Sequence, residues 1–128
     1  MNVMLDTHTF LWFVLDDPQL SAPAKTLIED PASDVFISPA SFWEIAIKVR
    51  LGKLELRSSY DDFMYRGIAG NNFAILPIEP RHTSLLTTLP LYHKDPFDRL
   101  LVVQARVEDM TVVSADDAFD AYGVQRAW

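Results

Sequence analysis

The sequence has no cysteine and only four glycines, and each shortage closes off a class of chemistry. Without thiols there is no disulfide, no zinc ribbon, no iron–sulfur cluster and no thiolate nucleophile. Neither G-x-G-x-x-G nor G-x-x-x-x-G-K-[ST] occurs, so the Gly-rich loops that cradle nucleotide phosphates are missing. Basic charge is scarce as well: 11 Lys and Arg stand against 18 Asp and Glu, a net charge of −7. A protein so charged does not grip nucleic acid through its overall field, so any such contact has to be local. The longest apolar run, Phe10 to Leu15, is far short of a bilayer span, and the start, Met1-Asn2-Val3-Met4-Leu5-Asp6, carries no basic n-region. The expectation is a soluble cytoplasmic protein with no membrane partner.

What is present is a foldable core. A chain of 128 residues, 49% hydrophobic and with 15 aromatics (three Trp, four Tyr, eight Phe), is sized for one domain over residues 1–128 and is too apolar to stay disordered. Four short apolar runs read as strands: Val3-Met4-Leu5, Val35-Phe36-Ile37, Phe73-Ala74-Ile75-Leu76 and Thr111-Val112-Val113. None alternates with polar residues, which is the signature of strands covered on both faces. Helix-length segments lie between and around them, near Phe10–Leu15, Pro23–Glu29, Phe42–Leu51, Asp61–Ala69, Thr83–Thr88, Pro96–Glu108 and Ala118–Tyr122. The alternation predicts an α/β fold, a central, mainly parallel sheet of four to five strands with helices on both faces and right-handed crossovers.

Helix ends are written locally. Asp95-Pro96 reads as N-cap and first helical residue, Ser21 precedes Pro23, and Gly52 and Gly123 stand where helix C-termini want a positive φ. Ser41-Phe42-Trp43-Glu44 matches a capping box with Glu44 in the N3 place.

Four acids draw a second reading. Asp6 ends the first strand, Glu44 follows the second, Asp98 opens the helix that starts at Pro96, and Asp116 follows the last strand. In a parallel sheet every strand's C-terminal end points to one edge, so these side chains can converge there. Singly, each also reads as a helix cap or a solvated charge. Asp98 is the sharpest case, because it shares a helical stripe with Leu101, Val102 and Ala105, a stripe that should be buried. Glu44 lies off the stripe of Phe42, Ile45, Ala46 and Val49, lining a cleft or facing water.

Magnitude limits what such a cluster tolerates. At an effective dielectric of about 20, two carboxylates ~5 Å apart repel by roughly 3 kcal/mol. Three such pairs cost about 10 kcal/mol, comparable with the whole stability of a small domain, roughly 5–15 kcal/mol. No Lys or Arg adjoins Asp6 or Glu44 in sequence, which leaves proton uptake or a divalent cation to offset the repulsion. An all-oxygen ligand set selects Mg²⁺ or Mn²⁺ over zinc, and such a site suits phosphodiester hydrolysis.

Met4-Leu5-Asp6-Thr7-His8, Ser41-Phe42-Trp43-Glu44-Ile45, His93-Lys94-Asp95-Pro96-Phe97-Asp98-Arg99 and Ser114-Ala115-Asp116 occur in that order along nearly the whole chain. With these segments the sequence resembles the PIN-domain nucleases, specifically the VapC-type toxins of toxin–antitoxin modules. The resemblance implies a metal-dependent endoribonuclease in which Asp6, Glu44 and Asp98 are metal-ligating acids. Asp116 is then a fourth acid that completes the cluster or holds a second metal through water. It also implies Mg²⁺ or Mn²⁺ as cofactor, an RNA substrate, a cognate antitoxin that occludes the cleft, and a homodimer. Thr7 matches the hydroxyl residue that orients the first acid, and Asp95 reads as cap with Asp98 the ligand.

Several features keep alternatives open. Lys48, Arg50, Lys53 and Arg57, with only Glu55 among them, form a local balance of +3 that reads either as a phosphate track or as a solvated helix end and loop. Arg99 is placed to contact a phosphate or a ligand carboxylate, and His8 and His93 to donate protons or simply to hold structure. Trp12, Phe13, Phe42, Trp43 and Phe63 divide between core and a partner interface. One rival is a catalytically degenerate PIN fold that acts only as a protein-binding module. A phosphoacceptor domain, the other rival, wants an acid paired with Asp6 and a lysine after the last strand, and Ser114-Ala115-Asp116-Asp117 offers none.

Overall fold

The computed structural model describes residues 1–92 and 94–128; His93, named above, lies outside the described residues. Five strands, β1 (Asn2–Leu5), β2 (Asp34–Ile37), β3 (Ala74–Ile75), β4 (Thr111–Val113) and β5 (Arg126–Ala127), form one all-parallel sheet in the order β3-β2-β1-β4-β5. Six helices connect them: α1 (Thr7–Val14), α2 (Ala22–Glu29), α3 (Pro39–Arg50), α4 (Tyr60–Ile68), α5 (Pro80–Leu86) and α6 (Pro96–Glu108). Short 3-10 turns follow at Ala69–Asn71 and Asp117–Tyr122.

The pleat of β1 divides the core. Val3 and Leu5 pack with Phe10, Ile28, Ile45 and Phe63, whereas Met4 packs with Leu101, Val102, Val103 and Phe119. Val113 joins the first group and Val112 the second, so α1, α2 and α4 cover one face and α5 and α6 the other. The unbroken hydrophobicity of the central strands follows from this double cover. β3 departs from it: as an edge strand, both its residues are exposed. β5 is the fifth strand, two residues long and held by its pairing with β4.

Several helix starts lie earlier than the periodicity predicts. α1 begins at Thr7, because the Asp6 carboxylate accepts the Thr9 N–H at 2.9 Å and caps it. α3 begins at Pro39, with Ser38 as N-cap accepting from Ala40 N at 3.1 Å. The Ser41–Glu44 capping box is therefore not formed, and both residues sit inside the helix. Pro39, whose fixed φ suits the first helical position, makes the earlier of two overlapping start signals the stronger one. The other predicted ends hold: Ser21 and Asp95 are N-caps, and Gly52 and Gly123 have φ of +72° and +73°.

The order of strands fixes where a site can form. From β1 the chain steps outward through β2 to β3, then returns to place β4 and β5 on the other side of β1. The crevice at such a reversal lies outside the C-terminal ends of β1 and β4, where Asp6 and Ser114 follow their strands.

α4 crosses close over α1 at Gly67, where an added Cβ would lie 3.0 Å from the Phe10 ring and 3.2 Å from Val14 Cγ2. Phe10 is fully buried and has no room to retreat. We expect Gly67→Ala to destabilise the protein by about 1–2 kcal/mol in chemical denaturation, the overpacking cost exceeding the helix-propensity gain of about 1 kcal/mol.

Candidate metal centre

Each acid at the C-terminal edge is delivered by a different local device. Asp6 serves as N-cap of α1, and its carboxylate is held from both sides: Oδ1 accepts the Thr9 N–H, while Oδ2 accepts the Ser114 hydroxyl at 2.5 Å. Thr9 is itself fixed by donating its hydroxyl to the Val113 carbonyl at 2.9 Å. Glu44, projecting from the second turn of α3 and almost buried, accepts the Thr7 hydroxyl at Oε1, 2.7 Å away. The Ser41 hydroxyl lies 3.0 Å from Thr7 Oγ1 behind it. Asp116 receives the Ala118 N–H at 3.0 Å and donates its own N–H to Ser114 Oγ.

Asp98 differs from the other three. It is half-buried on the first turn of α6, and its carboxylate has no hydrogen-bond or ion-pair partner among the described residues. Burial, and then the nearby charges of Asp95, Asp6, Glu44 and Asp116, push its pKa from the ordinary 3.8 up to about 7. The structure thus brings Asp6, Glu44 and Asp116 within electrostatic reach of Asp98. The stripe that Asp98 heads is buried as expected, Leu101, Val102 and Ala105 being sealed from solvent. Asp95 caps α6, accepting from Phe97 N at 2.8 Å and Asp98 N at 3.3 Å.

One cation already answers part of this charge. Lys48 Nζ stands 3.1 Å from Glu44 Oε2. Adjacency in sequence does not reveal it, although Glu followed by Lys four positions later is the favourable helical spacing. Ser114 and Ser41 escape sequence reasoning as well. A hydroxyl straight after a strand end is the signal for Ser114; Ser41 reads instead as a cap. Arg99 turns away from the acids, donating to the carbonyls of Pro90 at 2.8 Å and Leu89 at 3.2 Å. His8 is exposed and lies against the Trp12 ring, centroids 5.6 Å apart.

A second cluster, Glu79, His82 and Glu108, brings three potential ligand atoms within 4.8 Å of one another. Its hydrogen bonding argues against a metal. His82 Nδ1 accepts the Glu79 N–H at 3.0 Å, so the neutral ring carries its proton on Nε2, which faces Glu108 Oε1 at 3.2 Å. Nε2 then has no lone pair for an ion, and the Arg81 guanidinium bridges Glu79 and Glu108 instead. Ten positions apart along α6, Asp98 and Glu108 are ~15 Å from each other at 1.5 Å per residue. The His82 group therefore ties α5 to the far end of α6. The acids around Asp98 offer only oxygen donors, the ligand type that hard divalent cations take, but among the described residues no three of them bring carboxylate oxygens within 4.8 Å of one another as the Glu79 group does.

Comparison with known proteins agrees with this architecture. A sequence profile of the PIN domain matches residues 3–125. Among solved structures, VapBC2 from Rickettsia felis, bound to a DNA fragment from its promoter, aligns with a TM-score of 0.72 at 15% identity, covering 99% of this chain and 98% of that one. FitAcB from Neisseria gonorrhoeae gives 0.64 at 20% identity, over 97% and 95% of the two chains. VapBC-1 from nontypeable Haemophilus influenzae gives 0.63 at 14% identity, over 99% and 97%. At these identities the likeness is one of fold. No curated protein sequence matches the chain.

The raised pKa of Asp98 has a sign that can be measured. Folding holds this carboxyl near 7 against 3.8 when unfolded, so the folded state carries a penalty that is fully present above about pH 7. That penalty is relieved as pH falls towards about 4. In metal-free buffer, Asp98→Asn should raise stability by about 2 kcal/mol at alkaline pH, once solvent screening of a half-buried group is allowed for, with the gain vanishing near pH 4. Denaturation curves of both proteins across that range, in chelator, check it.

Proposed function

The chain belongs to the PIN domain family, and on that premise we propose that it is a Mg²⁺- or Mn²⁺-dependent endoribonuclease acting as the toxin of a toxin–antitoxin pair. The observation that carries the reading is Asp98, a carboxylate brought among four others and left without a hydrogen-bond or ion-pair partner among the described residues. Asp6, Glu44 and Asp98 hold the metal, and Asp116 completes the set or acts through water. A divalent ion bound there supplies positive charge to the phosphoryl oxygen and leaving alkoxide, and acidity to an attacking water. The protein's own part is to hold the ligands. Ser114 and the Thr9 N–H fix both oxygens of Asp6, and Thr7, backed by Ser41, fixes Glu44. Such hydroxyls set the orientation of ligating carboxylates, and their loss typically costs ~10–100-fold in metal affinity or activity. No side chain acts as nucleophile; water attacks the phosphodiester directly.

Partner and setting belong to the same proposal. The fold neighbours VapBC2, FitAcB and VapBC-1 are two-component assemblies, which supports a cognate antitoxin, and we take the working unit to be a homodimer in the cytoplasm. Among the described residues no helix is long and apolar enough to cross a membrane.

Asp98→Asn should abolish cleavage of RNA while the protein stays folded, and Ser114→Ala should weaken Mn²⁺ binding by about 10–100-fold in calorimetry. Wild-type protein should gain thermal stability with Mg²⁺ or Mn²⁺. Retained cleavage in Asp98→Asn, or no thermal shift with either ion, would instead favour a degenerate fold whose acids serve as caps.

A further inference from the structure

Beside the acid cluster runs a groove of about 400 Å³ between the C-terminal half of α3 and the start of α6. Glu44, Asp95, Ile47, Leu51 and Phe97 are among the residues that line it. Lys48, Lys53 and Lys94 also line it. These are three of the four lysines in a chain whose net charge is −7. Lys53 and Lys94 are exposed and have no ion-pair partner among the described residues. Trp43, 62% exposed, adjoins the groove through Phe97, its ring 5.2 Å from that of Phe97 and nearly perpendicular to it at 86°. Trp43 precedes Glu44 in sequence and Phe97 precedes Asp98, so this aromatic pair is bolted to the same two helices as the acids.

From this juxtaposition we infer that the groove is the track of a single-stranded RNA, whose phosphates meet Lys53 and Lys94 and one of whose bases stacks on Trp43 beside the metal centre. The inference rests on the nuclease reading and says how the substrate strand is held. Stacking on an exposed aromatic face combined with cationic side chains along the backbone is how unpaired strands are gripped without sequence readout. A paired base has no face free for Trp43, so the arrangement selects unpaired segments. Charge favours a polyanion over a second copy of this chain as the occupant, because the two exposed cations of the groove lack partners among the described residues. A two-fold contact would bring two copies of the same patch together, each with Lys53 and Lys94 carrying no ion-pair partner among its own described residues. A polyanion meets them favourably. Phe97 packs against the Trp43 ring, and Lys48, paired with Glu44, lines the same groove.

The test uses the full chain carrying Asp98→Asn, to prevent cleavage, and a fluorescent single-stranded RNA of mixed sequence read by anisotropy. Lys53→Ala with Lys94→Ala should weaken binding and flatten the plot of log affinity against log salt by about 1.4, at about 0.7 for each phosphate no longer neutralised. Trp43→Ala should weaken binding of the single strand roughly tenfold and leave that of the same sequence as a duplex nearly unchanged. These side chains are exposed, and circular dichroism verifies that the variants fold. Unchanged affinity and salt slope in the lysine variant would overturn the inference. So would a Trp43→Ala chain that binds RNA normally but falls from dimer to monomer in light scattering, which would assign the face to a second copy. If wild-type protein cleaves RNA while these variants bind it normally, the groove is lost and the nuclease reading stands. If nothing is cleaved but the variants lose binding, the reverse holds.

Discussion

Repulsion among carboxylates at the C-terminal edge of the sheet organises this molecule more than any other single interaction. Asp6, Glu44, Asp95, Asp98 and Asp116 come from four separate places in the chain, and burial and the other four push the pKa of Asp98 up to about 7. Charge gathered this way opposes folding, and the surrounding residues reduce the cost one carboxylate at a time. Asp6 is capped by a backbone N–H and a hydroxyl, Glu44 by a hydroxyl and an ammonium, Asp95 by two backbone N–H groups at the start of α6. Asp98 receives none of this. The least compensated acid is thus the one on whose carboxyl the charges of the other four act.

The sheet makes the convergence possible without strain. Parallel strands deliver all their C-terminal ends to one edge, and the reversal of strand order at β1 opens the crevice there. What remains is to seal the interior beneath. Val3, Met4 and Leu5 are sealed from solvent, and β1 lies between two separate clusters of side chains. Asp6 therefore leaves a rigid strand and enters a helix within one residue. Its position is set by packing on both sides of it, as precise ligand placement requires.

Much of this is legible in the residues, and the failures have definite causes. The phase of Leu101, Val102 and Ala105 foretells that Asp98 sits at a buried face, because helix period is a local property of the chain. Asp95-Pro96 foretells where α6 begins for the same reason. The start of α3 is ambiguous in sequence since Ser38-Pro39 and Ser41–Glu44 both carry start signals; the proline decides between them, and reading the later one conceals that Ser41 backs Thr7. The exposure of β3 depends on its place at the edge, which no residue in Phe73-Ala74-Ile75-Leu76 encodes. β5 is two residues whose strand character comes from pairing with Val112 and Val113. The contacts of Ser114 with Asp6 and Thr9 with Val113 span more than a hundred residues of sequence, so only the assembled sheet reveals them.

A net charge of −7 stands at odds with binding a polyanion, and the distribution of charge resolves the conflict. Long-range attraction depends on total charge, but at physiological ionic strength the field of exposed groups decays over about 8 Å. Within that distance the groove presents Lys53 and Lys94, and Lys48 already covers one oxygen of Glu44. Under the proposed function, an ion held at the acids would offset the repulsion that they exert on phosphate. Concentrating acid at the centre and lysine along its approach thus links the two requirements of the proposed reaction through one field, without asking the rest of the surface to be basic.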